Sequence, residues 1–166
     1  GDFIWNDLDG DGVQEAGEPG IAGVGVILTI NDPIVNSAGV TEIPAGTVWT
    51  TSTNPDGSYV FENLPTLPAG ISYTVTALSP GSIWVASPKD AGVLDGVDSD
   101  ADMTTGVMSA TTLTPGERDM TWDAGFYIPA ELSLVKTVNG VSGVEHDATP
   151  HGAGAPVNPA DECNPD

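Results

Sequence analysis

The chain has 166 residues, 39% of them hydrophobic, which is enough for one core-forming domain with or without a tail. Its 24 acidic residues face only Lys89, Arg118 and Lys136; the formal charge of −21 argues against nucleic acid and anionic membrane as partners and favours divalent cations. A single cysteine, Cys163, excludes a disulfide framework within the chain, and no apolar run reaches the roughly 18 residues of a membrane span.

Residues 1–6 open with Gly1-Asp2-Phe3-Ile4-Trp5, a short aromatic and β-branched run that reads as a strand. Asp7-Leu8-Asp9-Gly10-Asp11-Gly12-Val13-Gln14-Glu15-Ala16-Gly17-Glu18 follows and fits the calcium loop D-x-D-x-D-G-x5-E without a gap. Ca²⁺ takes six to eight oxygens in a flexible shell. Alternation lets Asp7, Asp9 and Asp11 converge, Gly12 allows the turn, the Val13 carbonyl faces the ion, Glu15 reaches it through water, and Glu18 closes the shell with two oxygens. Pro19-Gly20 forbids a following helix, so the loop is expected to staple strands rather than open a helix pair.

Val24, Val26, Leu28 and Ile30 alternate with Gly25, Ile27 and Thr29 and predict a second strand with one face fully apolar. Residues 31–47, with Asp32-Pro33, Ala38-Gly39 and Pro44, read as an irregular hairpin. Further strands are expected at residues 48–53, 58–62, 71–78, 106–113 and 120–128. Turn signals separate them at Asn54-Pro55-Asp56-Gly57, 64–70 and Thr114-Pro115-Gly116-Glu117. Ile83-Trp84-Val85 is a candidate short strand inside the long connection 79–105. Seven short strands with no helical period predict an all-β fold, a seven-stranded Greek-key, prealbumin-like or Ig-like β-sandwich occupying residues 1–128. Residues 129–166 read as a linker, a donor strand or the start of a following repeat. Glu131–Val138 forms one more strand, and the Gly-, Ala- and Pro-rich remainder forms a tail.

A second acidic cluster, Asp95, Asp98, Asp100 and Asp102, lies in the long connection. Strand parity places it at the same end of the sandwich as the first loop and the exit of the last strand. It is therefore expected to hold one or two further Ca²⁺ ions, partly with carboxylates of the first loop. His146, His151, Asp147 and Cys163 are confined to the tail and match no catalytic spacing, so no enzyme is expected. Trp5, Trp49, Trp84 and Trp122 are expected to pack in the core and on the sheet faces rather than form a sugar platform.

Three blocks in order carry a family resemblance. They are Gly1–Trp5 with the acidic loop and Pro19-Gly20-Ile21-Ala22-Gly23-Val24; Asp56-Gly57-Ser58-Tyr59-Val60-Phe61-Glu62-Asn63-Leu64-Pro65; and Leu113-Thr114-Pro115-Gly116-Glu117 with Asp123-Ala124-Gly125-Phe126-Tyr127. Together they resemble the calcium-binding B-type repeat domains of serine-aspartate repeat surface proteins, allied to the B-type stalk repeats of collagen adhesins. The resemblance covers residues 1–127. It implies a secreted, cell-surface β-sandwich spacer with calcium at Asp7, Asp9, Asp11, Val13 and Glu18. Residues 131–140 resemble the opening strand of another class of tandem surface repeats, which begin with a Leu-x-Lys-Thr-Val pattern.

These readings predict an extracellular structural module of a cell-surface adhesin, fibre or filament. Its partners would be neighbouring repeats or identical subunits. Residues 131–138 either add as a strand to a neighbour or lead into the next domain. The alternative is a recognition module that binds glycan or protein through its tryptophans or the 31–47 insertion.

Overall fold

The computed structural model describes residues 2–130 together with the backbone of residues 137–138 and 141–142. The chain divides into two compact units, Gly1–Ala130 and Glu131–Asp166. The described residues are all β, with no helix. In the first unit the strands are β1 (Ile4–Asn6), β2 (Gly25–Ile30), β3 (Ile34–Val35), β4 (Thr41–Ile43), β5 (Val48–Ser52), β6 (Tyr73–Ala77), β7 (Val85–Ala86), β8 (Val107–Thr111) and β9 (Ala124–Tyr127).

Two sheets form the sandwich. One has the order β5-β2-β6-β8 and is antiparallel throughout; the other has the order β1-β9-β7. The period of two fixes which side chains turn inward. Val26, Leu28 and Ile30 of β2, Tyr73, Val75 and Ala77 of β6, and Met108 of β8 are buried. They form one cluster with Ile4, Ala86, Ala124 and Phe126 of the other sheet. The Val, Leu, Ile, Phe and Met side chains among them contribute about 1.5–3 kcal/mol each on burial. Trp49 meets Tyr73 edge to face, with ring centroids 5.9 Å apart at 87°. Trp5 is fully buried and Trp49, Trp84 and Trp122 are half-buried against the core.

The architecture is the expected β-sandwich, with differences in detail. β1 and β9 pair in parallel, so the first and last strands of the unit run side by side in the same direction. Residues 58–62 form no strand. Ser58 makes one isolated bridge with Phe3, and the Tyr59 N–H donates to the Asp2 carbonyl at 2.8 Å. The short β7 joins the second sheet instead. β9 begins at Ala124 rather than residue 120 because Asp119 organises the approach. Its carboxylate accepts the Thr121 N–H at 3.2 Å, the Thr121 hydroxyl at 2.9 Å and the Trp122 indole N–H at 2.7 Å. Such local bonds compete with a ladder. The 31–47 insertion is a hairpin, β3 against β4, with a register shift between Ile34 and Val35.

In the second unit β10 (Thr137–Val138) pairs antiparallel with β11 (Val141–Ser142). The intervening sequence is Asn139-Gly140, a strong two-residue hairpin signal that the reading of a featureless tail passed over. Residues 131–136, with Lys136, and the tail groups His146, Asp147, His151 and Cys163 lie outside the described residues.

Candidate metal centre

The acidic loop leaves β1 at Asn6 and is anchored at both ends. The Asp7 N–H donates to the Phe126 carbonyl at 2.9 Å, and the Asn6 N–H to the Pro19 carbonyl at 2.8 Å. Asp7 is fully buried. Its two oxygens accept the N–H groups of Gly10 at 2.7 Å and Gly12 at 2.9 Å, so it folds the loop around itself. Asp11 accepts the Val13 N–H at 2.8 Å. Glu18 spans the loop, accepting Leu8 N–H at 2.6 Å and Glu15 N–H at 2.9 Å through its two oxygens.

The carboxylates converge. Among the described residues two acidic triads have ligand oxygens within 4.8 Å of one another: Asp7, Asp9 and Asp11, and Asp9, Glu15 and Glu18. Asp9 belongs to both. Glu15 is held above the ordinary glutamate range by desolvation and then by the charges of Asp11, Asp9, Glu18 and Asp7. All five donors are hard oxygens, the set that suits Ca²⁺ rather than a soft metal. The residues present therefore fit the ion. Each Glu18 oxygen accepts one backbone N–H and keeps a second lone pair for an ion.

A strap, residues 88–99, packs across the loop. The Gln14 N–H donates to the Val97 carbonyl at 2.7 Å and the Ser99 N–H to the Gly12 carbonyl at 2.9 Å, bracketing an antiparallel bridge between Val13 and Asp98. The Val13 N–H turns back to Asp11, and the bridge leaves its carbonyl unused. The two acidic stretches thus lie side by side. The exit of β9 is there too, since Gly10 lies against the Tyr127 ring, whose atoms would be 3.6 Å from a Cβ at that position. The 54–57 turn lies against Gly20 and Ile4, beside β1.

The four acids of the second stretch occupy four environments. Asp95 is exposed. Asp98 is buried within the strap and accepts the Gly92 N–H at 3.2 Å. Asp102 is exposed and caps a turn, accepting from Thr104 N–H at 3.0 Å and Thr105 N–H at 2.8 Å. These bonds, that of Thr105 first, hold it below the usual aspartate range. Asp100 turns inward: it accepts the Asp123 N–H at 2.8 Å and donates its own N–H to the Asp123 carbonyl at 2.8 Å. Desolvation, then Asp95, Asp98 and Asp90, pushes its carboxyl up to about 7. None of these four acids belongs to an acidic triad within 4.8 Å.

Asp123 is the group that the sequence reading missed. It is 2% exposed, with one oxygen accepting the Phe3 N–H at 2.8 Å and the other buried without a hydrogen-bond partner. Desolvation, followed by the charges of Asp2 and Asp100, pushes it up to about 8. It opens the Asp123–Tyr127 block of the family resemblance, but its position between Trp122 and Ala124 follows no ligand spacing that would mark it as a site residue.

Residues 1–126 match the family model of the SdrD B-like domain. The chain is 34% identical over 134 residues to serine-aspartate repeat-containing protein C of Staphylococcus aureus strain N315, and 33% identical over 134 residues to the protein of that name from strain Newman. Each alignment covers 81% of this chain and 12% of the staphylococcal protein, so the chain spans about an eighth of the length of these relatives.

Proposed function

The chain belongs to the SdrD B-like domain family, and from that premise we propose that residues 1–128 are a calcium-stapled spacer repeat of a cell-surface or secreted adhesin or fibre. Residues 129–166 would connect it to a neighbouring repeat or to an identical subunit, with 131–138 available as an added strand. One observation carries the reading: five carboxylates gather in two triads that share Asp9. Asp7, Asp9, Asp11, the Val13 carbonyl and Glu18 would hold the first ion, with Glu15 beside them. Asp95, Asp98, Asp100 and Asp102 would supply donors for a second or third only together with carboxylates of the first loop.

The ion would supply positive charge where the chain is most self-repelling. Through the Val13–Asp98 bridge, ordering of the loop would also order the strap and the exit strand. A ligand that binds only the folded state adds about 2.7 kcal/mol at a hundredfold excess over Kd. Thermal unfolding in calcium, in magnesium and in chelator tests the proposal. A reversible rise in Tm with calcium and little with magnesium is expected. No rise, together with no calcium in the untreated protein by elemental analysis, would reject it.

A further inference from the structure

β8 is hydrogen-bonded to β6 on one side, and among the described residues its other edge carries no ladder. On the outer face of β8, Lys89 Nζ donates to Ser109 Oγ at 3.1 Å. Unpaired strand edges are templates for another strand.

The end of β8 opens into a groove. Residues 58–62 and 119–122 form no ladder here, and two adjoining depressions of about 90 and 290 Å³ share Phe61, Leu64, Leu113 and Glu117 as walls. The smaller reaches Leu28 and Val75 on the inner face of the four-stranded sheet. Both fall below the 300–1,000 Å³ of a usual small-ligand site. They have the scale and lining that aliphatic side chains of a docked strand would fill.

Position selects the occupant. At one end of β8 the Asp102 N–H donates to the Val107 carbonyl at 3.0 Å, beside the acidic strap. The other end, Thr111 opposite Tyr73, leads to the groove. The groove therefore opens at the pole away from the acidic loops, whereas Tyr127 delivers the chain to the loop pole, against Gly10. A segment that leaves at one pole and a groove that opens at the other fit together between copies, head to tail. The segment after Ala130 suits the groove: Leu132, Leu134 and Lys136 alternate with Ser133, Val135 and Thr137. Glu117 on the groove wall is an exposed acidic partner that suits Lys136.

We infer that residues 131–138 of one copy add as a strand to the free edge of β8 in the next copy, seating Leu132 and Leu134 in the groove and Lys136 toward Glu117. The contact is heterologous, and repeated it gives a filament open at both ends. It rests on the strand-addition part of the proposed function and does not depend on the calcium staple.

The test uses the full chain in reductant, so that Cys163 cannot link copies. Sedimentation velocity and electron microscopy across a concentration series are expected to show species heavier than the monomer. Leu132→Asp with Leu134→Asp should return the chain to monomer at unchanged Tm, and excess peptide of residues 131–138 should dissolve the assembly. In a Cys163→Ser background, Leu113→Cys with Leu134→Cys should form an oxidised ladder between copies. Monomer at every concentration, or assembly that survives the double aspartate substitution, would overturn the inference. Monomer with a calcium-dependent rise in Tm would overturn strand addition alone; assembly with no calcium effect would overturn the staple alone.

Discussion

Gly12 lies against the backbone carbonyl of Pro88, so close that a Cβ at residue 12 would stand 2.3 Å from that oxygen. Its φ of +86° is also left-handed, a region that L side chains enter at a cost. The contact locks strap to loop. Gly12→Ala should therefore destabilise the fold by about 2–4 kcal/mol, from backbone strain and displacement of the strap. Thermal unfolding in chelator should show a drop of several degrees. An unchanged Tm would mean that the strap does not hold the loop in solution.

Asp7 and Asp9 separate the structural from the ionic contribution. Asp7 is buried and folds the loop by accepting the N–H groups of Gly10 and Gly12. Asp7→Asn exchanges one acceptor oxygen for a donor and leaves a backbone N–H unmatched, which should cost about 1–3 kcal/mol even in chelator. Asp9 is exposed and belongs to both triads. Asp9→Asn should leave the Tm in chelator unchanged or slightly raised, because repulsion falls, and should remove most of the rise that calcium produces. Calcium titration of the two variants by calorimetry checks both halves. Full calcium response in Asp9→Asn would exclude Asp9 as a ligand.

Asp123 sets a pH dependence with a definite sign. Its folded-state value is raised from 3.8 to about 8, chiefly by desolvation. Below about pH 4 both folded and unfolded states hold the proton. Between about 4 and 8 the folded state keeps a proton that the unfolded state has lost, so stability falls as pH rises through that window and levels off above it. The loss is on the order of a few kcal/mol, since each pKa unit is worth about 1.4 kcal/mol. Asp100, raised to about 7, adds in the same direction. Denaturant melts in chelator at pH 5 and pH 8 should differ accordingly, and Asp123→Asn should flatten the difference. A wild-type protein as stable at pH 8 as at pH 5 would show that the carboxyl is not raised.

The sequence made the fold and the first loop legible for distinct reasons. β2 and β6 were visible because Val26, Leu28, Ile30 and Tyr73, Val75, Ala77 keep a strict period of two with one face in the core. The loop was visible because consecutive spacing can bring Asp7, Asp9 and Asp11 together without tertiary help. The strand expected at residues 58–62 failed because Tyr59 and Ser58 bond to residues far away in sequence, Asp2 and Phe3. The inward turn of Asp100 was hidden for the same reason, since its partner, Asp123, is 23 positions away. Parity did bring the strap and the acidic loop to one end, yet it could not separate an acid facing solvent, such as Asp95, from one buried against another carboxyl.

Tyr59 offers the sharpest check on how the irregular side of the sandwich is held. Its ring is buried, its N–H donates to the Asp2 carbonyl at 2.8 Å, and its hydroxyl donates to the Trp122 carbonyl at 2.5 Å. The hydroxyl ties residues 58–62 to residues 119–122, two segments that share no ladder. Burial pushes the phenol far above the usual tyrosine range, with Asp123 adding to it, so it remains a donor at every accessible pH. Tyr59→Phe keeps the ring in the core and deletes this bond and a weak 4.0 Å contact to Met108 Sδ, stranding the Trp122 carbonyl, at a cost of about 1–3 kcal/mol. Amide exchange should accelerate at Trp122 and Asp123 before it does in β2 or β6, because local opening begins where few bonds cross. Uniform acceleration across the whole sandwich would mean that the two segments are held by the core alone.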